Sequence, residues 1–175
     1  MRYFGHDAVA VLDNGLAGWP GPLETGGHSV PRGDFVAGEP RTSAKVDYGD
    51  VRELSGDLVL LDARRPARYR GEFEPTDPKA GHIPGAFGAP WGENLDSAGR
   101  FKPPDELRRR FRDLGVEDGG NVVAYCGSGV SACVTCSLVR SRDSLEQDCI
   151  RVLGVTGPRD PTRQWQQATR RIAVP

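Results

Sequence analysis

Four cysteines stand at positions 126, 133, 136 and 149, and Cys126 differs from the others in its surroundings. It ends the apolar run Asn121-Val122-Val123-Ala124-Tyr125, and small residues follow it: Gly127, Ser128, Gly129, Val130, Ser131 and Ala132. Glycines at 127 and 129 let the backbone turn tightly and aim successive N–H groups inward. With a helix beginning near Ser131, such a loop is an anion cradle, and its field favours thiolate, the nucleophilic form, over thiol. A second reading is a buried small hydrophobe that closes a strand.

Two other chemistries fit the spacing less well. Cysteine phosphatases need an arginine at the sixth residue after the nucleophile to grip phosphate. Here that residue is Ala132. Zinc binding through Cys133-x-x-Cys136 needs two more ligands, and neither Cys149 nor His6, His28 or His82 has a matching spacing. The reading calls for no metal and no cofactor.

The elements that must position Cys126 follow from hydropathy. The run "DLVLLDAR" (57–64) is continuous, short and apolar before it ends in charge, the pattern of a strand buried on both faces. A loop rich in Gly and Pro follows, and then "PPDELRRRFRDLGV" predicts a helix. Pro103 and Pro104 open it, Asp105 and Glu106 sit in its first turn, and Gly115 stops it. The triplet Arg108-Arg109-Arg110 reads as its solvated face. "NVVAYC" is the next strand, so strand, loop, helix and strand spell a βαβ unit of a parallel sheet. In open parallel sheets ligands sit beyond the carboxyl ends of the strands, which is where Cys126 falls. Upstream, "DAVAVLDNGLAGW" (7–19) predicts a strand, a turn and a short helix, while residues 20–45 lack periodicity. Beyond Cys133 the pattern weakens, and Ile150–Val155 is the best strand candidate.

Composition sets the bounds. A chain of 175 residues holds one domain and extensions, and 23 Gly with 14 Pro make it rich in loops. The net charge of −1 gives no reason to expect nucleic acid as a partner. No apolar stretch approaches the ~20 residues of a membrane span, and the N-terminus lacks the apolar segment of a secretory signal. Clustered cysteines argue against a disulfide framework and for a reducing compartment, the cytoplasm.

These motifs carry a family resemblance. "CGSGVSA" resembles the active-site loop of the thiosulfate/3-mercaptopyruvate sulfurtransferases, members of the rhodanese superfamily. "LLDARRPARYRGEFEPTDPKAGHIPGAFGAPWGENLDSAGRF" is similar to the front half of that family's C-terminal, catalytic domain. "RYFGHDAVAVLDNGLAGW" resembles the close of its N-terminal domain. The resemblance runs to about residue 133 and implies a rhodanese-like three-layer α/β fold: a central parallel sheet flanked by helices, incomplete at its C-terminal end. It divides the chain into a remnant of the N-terminal domain (1–27), a linker (28–45), the catalytic domain (46–140) and a divergent tail (141–175).

It also implies a double displacement. Cys126 takes a sulfane sulfur from 3-mercaptopyruvate or thiosulfate as a persulfide and passes it to cyanide or a thiol. Loop residues 127–132 surround the sulfur, and Arg68 holds the donor's anionic group, with Arg70 a weaker candidate. The family's second such arginine falls at Thr76. Loops without cationic residues after the cysteine, as in "GSG", resemble the mercaptopyruvate type, and Ser128 can offer its hydroxyl to a carboxylate or to sulfur. His82 reads as an organiser of its loop, and Asp62 with Arg64 as organisers of the site's floor.

Two departures are expected. Met1 falls near the end of the N-terminal domain, so residues 1–19 lack a neighbour to cover them. Residues 134–175 lack the family's continuation, yet codon degeneracy permits a choice of codons that spells His-Leu-Leu, Leu-Tyr-Pro-Gly-Ser-Trp and Val-Ala-Thr-Gly, in order, in one alternative frame. This predicts a frameshift near Cys133–Val134 and loss of the last strand. A competing reading is a catalytically impaired rhodanese-like binding module or a degenerate fragment.

Overall fold

A computed structural model describes residues 1–46, 51, 58–77, 79–140 and 150–153. Five strands form one parallel sheet: β1 (Lys45–Val46), β2 (Leu58–Asp62), β3 (Phe87–Gly88), β4 (Asn121–Tyr125) and β5 (Ile150–Leu153). Their order is β1-β5-β4-β2-β3. Helix α1 (Pro66–Tyr69) follows β2, α2 (Pro104–Asp113) precedes β4, and α3 (Val130–Val139) follows it. Among the described residues no helix is long and apolar enough to cross a membrane.

The sheet is buried on both faces, as the unbroken runs of β2 and β4 require. Successive side chains point to opposite faces. Val122 and Ala124 join Leu61, Leu107, Phe111 and Val139 on one face, whereas Val123 and Tyr125 join Leu60, Val46 and Ile83 on the other. Leu60 lies opposite Val123, and Asp62 opposite Tyr125. Helix α2 reaches this core through Leu107 and Phe111, one turn apart on one stripe, while Asp105 and Glu106 stand at its positive end. Its arginine face is less uniform than expected. Arg110 folds back to bond Glu93 Oε2 at 2.9 Å, and only 15% of its side chain is exposed.

The chain steps from β2 to β3 on one side, then crosses back to β4 and β5 on the other. The sheet therefore changes direction between β2 and β4, the topology that in open parallel sheets makes a crevice beyond the carboxyl ends of the two strands.

The N-terminal segment departs from expectation. Residues 9–12 pair with no strand among the described residues, and the predicted helix is a single 3-10 turn, Gly15–Gly18. Val11 and Leu16 are largely exposed, and among the described residues no strand lies beside them. The segment is nevertheless tied to the sheet unit, because the Phe101 N–H donates to Asp13 Oδ1 at 2.9 Å.

The tail corrects the reading in the other direction. Residues 150–153 form β5, parallel to both β1 and β4, with Val122 opposite Ile150 and Lys45 opposite Val152. The last strand is thus present, and the sheet continues past residue 140. The remainder of the tail, with Cys149, lies outside the described residues.

Candidate active site

Cys126 follows directly on β4 and is 5% exposed. Its Sγ accepts the Gly129 N–H at 3.0 Å. Gly129 takes φ +89°, a left-handed conformation that costs a residue with a Cβ about 1–2 kcal/mol, and from it α3 starts. The first intrahelical bond runs from Cys133 N–H to the Gly129 carbonyl at 2.9 Å. Val130, Ser131 and Ala132 therefore occupy the first turn, where position leaves the N–H groups without intrahelical acceptors. Ala132 is buried against the core beside Cys126, whereas Ser128 and Val130 face outward. A side chain larger than a methyl at 132 would push the helix off the sheet.

The wall that follows β2 is built from charges. Arg64 is buried and bonds Asp62 through Nη2 at 2.6 Å and Nε at 2.9 Å, and it also donates to the Gly81 carbonyl at 2.5 Å. Burial opposes its charge, but the Asp62 carboxylate outweighs burial and holds the guanidinium protonated. Arg64 also lies 5.7 Å from the centre of the Tyr125 ring. The Tyr125 hydroxyl accepts the Ile83 N–H at 3.1 Å, and burial, reinforced by Asp62, pushes it far above the ordinary range for tyrosine.

Arg68 reaches the loop. A methyl placed on Gly127 would lie 3.3 Å from Arg68 Nη1. Its guanidinium is engaged by carboxylates: Nη2 bonds Glu74 Oε1 at 2.6 Å and Asp77 Oδ2 at 3.1 Å, and Nε bonds Glu74 Oε2 at 3.1 Å. Burial would raise the Glu74 carboxyl, but bonds from Arg68 and from the Asp77 and Thr76 N–H groups hold it below the usual range. Asp62, Glu74 and Asp77 against Arg64 and Arg68 leave this wall net negative. Arg70 instead pairs with Glu72 at the surface, away from the loop, and Thr76 caps Glu74.

His82 stacks on Tyr69, with ring centres 3.9 Å apart, and its Nδ1 bonds the Tyr69 carbonyl at 2.8 Å. A carbonyl only accepts, so Nδ1 carries the proton. Sequence reasoning missed Glu74 and Asp77, although the acidic run "EFEPTD" just after Arg68 was the available signal. It also missed Tyr125, whose place next to Cys126 on a strand sends its ring to the opposite face.

On the other side of the loop, a cleft of about 490 Å³ opens between the N-terminal segment and α3. Ser128, Gly129, Val130 and Cys133 form one wall, and Arg2, Arg41, Lys45 and Arg140 bring charge. Cys133 is exposed there, yet partial desolvation of its sulfur, with Cys126 nearby, raises its thiol. Cys136 is buried beneath, and burial pushes its thiol up to about 12. Among the described residues no cluster of His, Cys, Asp and Glu could hold a metal ion.

Comparison with known proteins agrees with this arrangement. The rhodanese-like domain family model matches residues 48–155, which extends the resemblance beyond residue 133. A probable 3-mercaptopyruvate sulfurtransferase of Pseudomonas aeruginosa is 47% identical over 136 residues, covering 73% of this chain and 46% of that protein. The 3-mercaptopyruvate sulfurtransferase of Escherichia coli K12 is 37% identical over 140 residues, covering 77% and 50%. The chain thus spans about half the length of the curated relatives it matches. The crystal structure of SseA from Escherichia coli, described as a 3-mercaptopyruvate sulfotransferase, superimposes with a TM-score of 0.71 at 33% identity, over 87% of this chain and 57% of that one. With a cysteine loop at the crevice of an open parallel sheet, and this match across sheet and loop alike, the chain belongs to the rhodanese-like domain family.

Proposed function

We propose that this chain acts as a sulfurtransferase with Cys126 as the sulfur carrier. The observation that carries the reading is the Cys126 sulfur itself: it sits at the crevice, accepts the Gly129 N–H at 3.0 Å, and faces the start of α3. Such donors stabilise negative charge on sulfur without a side-chain cation. The Cys126 thiolate attacks the sulfur of 3-mercaptopyruvate, an S–S bond forms, and the C–S bond breaks. Its electron pair passes to carbon as the pyruvate enolate, which takes the proton that the donor thiol loses. With thiosulfate the leaving group is sulfite. Cyanide or a thiol then attacks the outer sulfur of the persulfide and releases Cys126 as thiolate.

Arg68 is the residue the family resemblance assigns to the donor's anion. Its carboxylate cage means that a donor must compete with Glu74 and Asp77 for the guanidinium. The uncharged Gly127-Ser128-Gly129 loop supports 3-mercaptopyruvate over thiosulfate, which carries two negative charges and has less to gain here.

The test is mass analysis of the Cys126 peptide after incubation with either donor. One added sulfur atom is expected, lost again on addition of cyanide, and none on Cys126→Ser protein. A folded chain that gains no sulfur from either donor overturns the enzyme reading in favour of a binding module.

A further inference from the structure

Charge is distributed unevenly between the wall behind β2 and the cleft beside α3. Arg64 and Arg68 in the wall meet carboxylates at hydrogen-bond distance. The cleft between the N-terminal segment and α3 has four cationic residues and, among the described residues, no carboxylate in its lining. Arg41 is neutralised by Asp7 at 2.7 Å, and Arg2 donates to the Val9 carbonyl. Lys45 and Arg140 have no carboxylate partner among the described residues. The cleft is also mostly apolar and elongated. Val130, Cys133, Ser137 and Arg140 recur at spacings of three and four, so the cleft follows one face of α3 for about 15 Å. Tyr3 and Ala44 add apolar surface from the N-terminal segment, and Val130 is left 69% exposed.

We propose that this cleft binds an organic anion with an elongated apolar body, at a site apart from the reacting sulfur. Cys126 is not in its lining, and the proposal stands whether or not the chain transfers sulfur. A volume of about 490 Å³ falls within the ordinary range of small-molecule sites, which are lined mainly by apolar groups with a few polar ones to fix orientation. Charge and shape together select the class. A small inorganic anion would leave the face of α3 uncovered, and a neutral apolar molecule would leave Lys45 and Arg140 without a counter-charge. An apolar body along α3 with an anionic group offered to those two cations satisfies both.

The probe is 8-anilinonaphthalene-1-sulfonate, with N-phenyl-1-naphthylamine as the same ring system without the anion, both titrated by fluorescence into the full chain. The sulfonate should bind with one equivalent. Its affinity should fall about fivefold in Lys45→Gln with Arg140→Gln, both exposed positions, and recover with Lys45→Arg and Arg140→Lys. Raising salt from about 0.02 to 0.5 M should also weaken it, while the neutral amine responds to neither change. Alkylation by iodoacetamide, mapped by peptide mass, reads the location. At about ten times its Kd the sulfonate should slow alkylation of exposed Cys133 by about fivefold or more, in the Cys126→Ser protein as well. Binding that ignores salt and both substitutions, or that leaves Cys133 alkylation unchanged, overturns the proposal. So does binding gained only in Asp143→Asn with Glu146→Gln, which would make the chain's own acidic stretch 141–149 the occupant.

Discussion

The two walls around Cys126 are made of opposite materials. The wall behind β2 is an array of buried and half-buried charges, each matched by another: Asp62 with Arg64, Glu74 with Arg68, Asp77 with both arginines. The wall behind β4 has no charged side chain from 126 to 139 and presents backbone N–H groups and glycines. The charged wall is saturated, so its first effect is to hold the crevice in shape. The amide wall is open, so it is the one able to receive a new negative charge.

That contrast can be broken at several points. The largest effect is expected at Asp62→Ala, which takes from buried Arg64 the nearest of its carboxylates and leaves only Glu74 and Asp77. The loss should be about 3–5 kcal/mol in urea unfolding, with sulfur loading falling only as the folded fraction falls. A variant that stays folded yet cannot load would place Asp62 in the chemistry and end the distinction. Gly129→Ala should reverse the pattern. Strain at φ +89° costs about 1–2 kcal/mol, while the misdirected N–H slows single-turnover loading by about tenfold or more. Normal loading in that variant would mean that the amide wall is only a turn.

Two smaller effects sharpen the comparison through pH. Cys136 lies under the amide wall with its thiol pushed up to about 12, against an ordinary value of 9.0. Its contribution to stability is whole below about pH 9 and is lost as pH rises toward 12, because the unfolded chain ionises first. The urea midpoint should therefore fall between pH 8 and pH 10 (roughly bracketing the ordinary thiol value), and Cys136→Ala should flatten that fall. Glu74 in the charged wall has the opposite sign. Its carboxyl is held low, so its contribution is present above the ordinary value of 4.5 and is lost as pH falls below it. Glu74→Gln should cost about 1 kcal/mol at neutral pH and remove that acid-side slope. The smallest effect belongs to the exposed Arg112–Asp118 pair, where Arg112→Ala should change stability by less than about 0.5 kcal/mol.

The parts legible in sequence are those with a local cause. The runs Leu58–Leu61 and Val122–Tyr125 are apolar without interruption and can only be strands buried on both faces. Pro104, Asp105 and Gly115 mark α2 to within a residue or two. Gly127 and Gly129 announced a backbone cradle, and the structure adds that Gly129 N–H reaches the sulfur. The less legible parts depend on distant residues. Val9–Leu12 has the composition of a strand but pairs with no strand among the described residues, so its β-propensity goes unused there. Ile150–Leu153 is a poor strand by composition and becomes one because β1 and β4 flank it. Glu74 and Asp77 come to Arg68 through a turn closed by the Thr76 and Asp77 N–H groups donating to the Glu74 carboxylate, which no periodicity records. The cleft likewise joins Lys45 and Arg140, nearly a hundred residues apart.

The sheet order has a consequence for synthesis. β5 lies between β1 and β4, so Lys45 pairs with nothing in the sheet until Val152 has left the ribosome. β2, β3, β4 and the Cys126 loop can assemble from shorter-range contacts while the chain is still growing, with one side of β4 unpaired. Docking of β1 therefore has to wait for β5. The nucleophile can thus be housed before the sheet is complete, and a nascent chain arrested before residue 150 should already hold the cysteine loop.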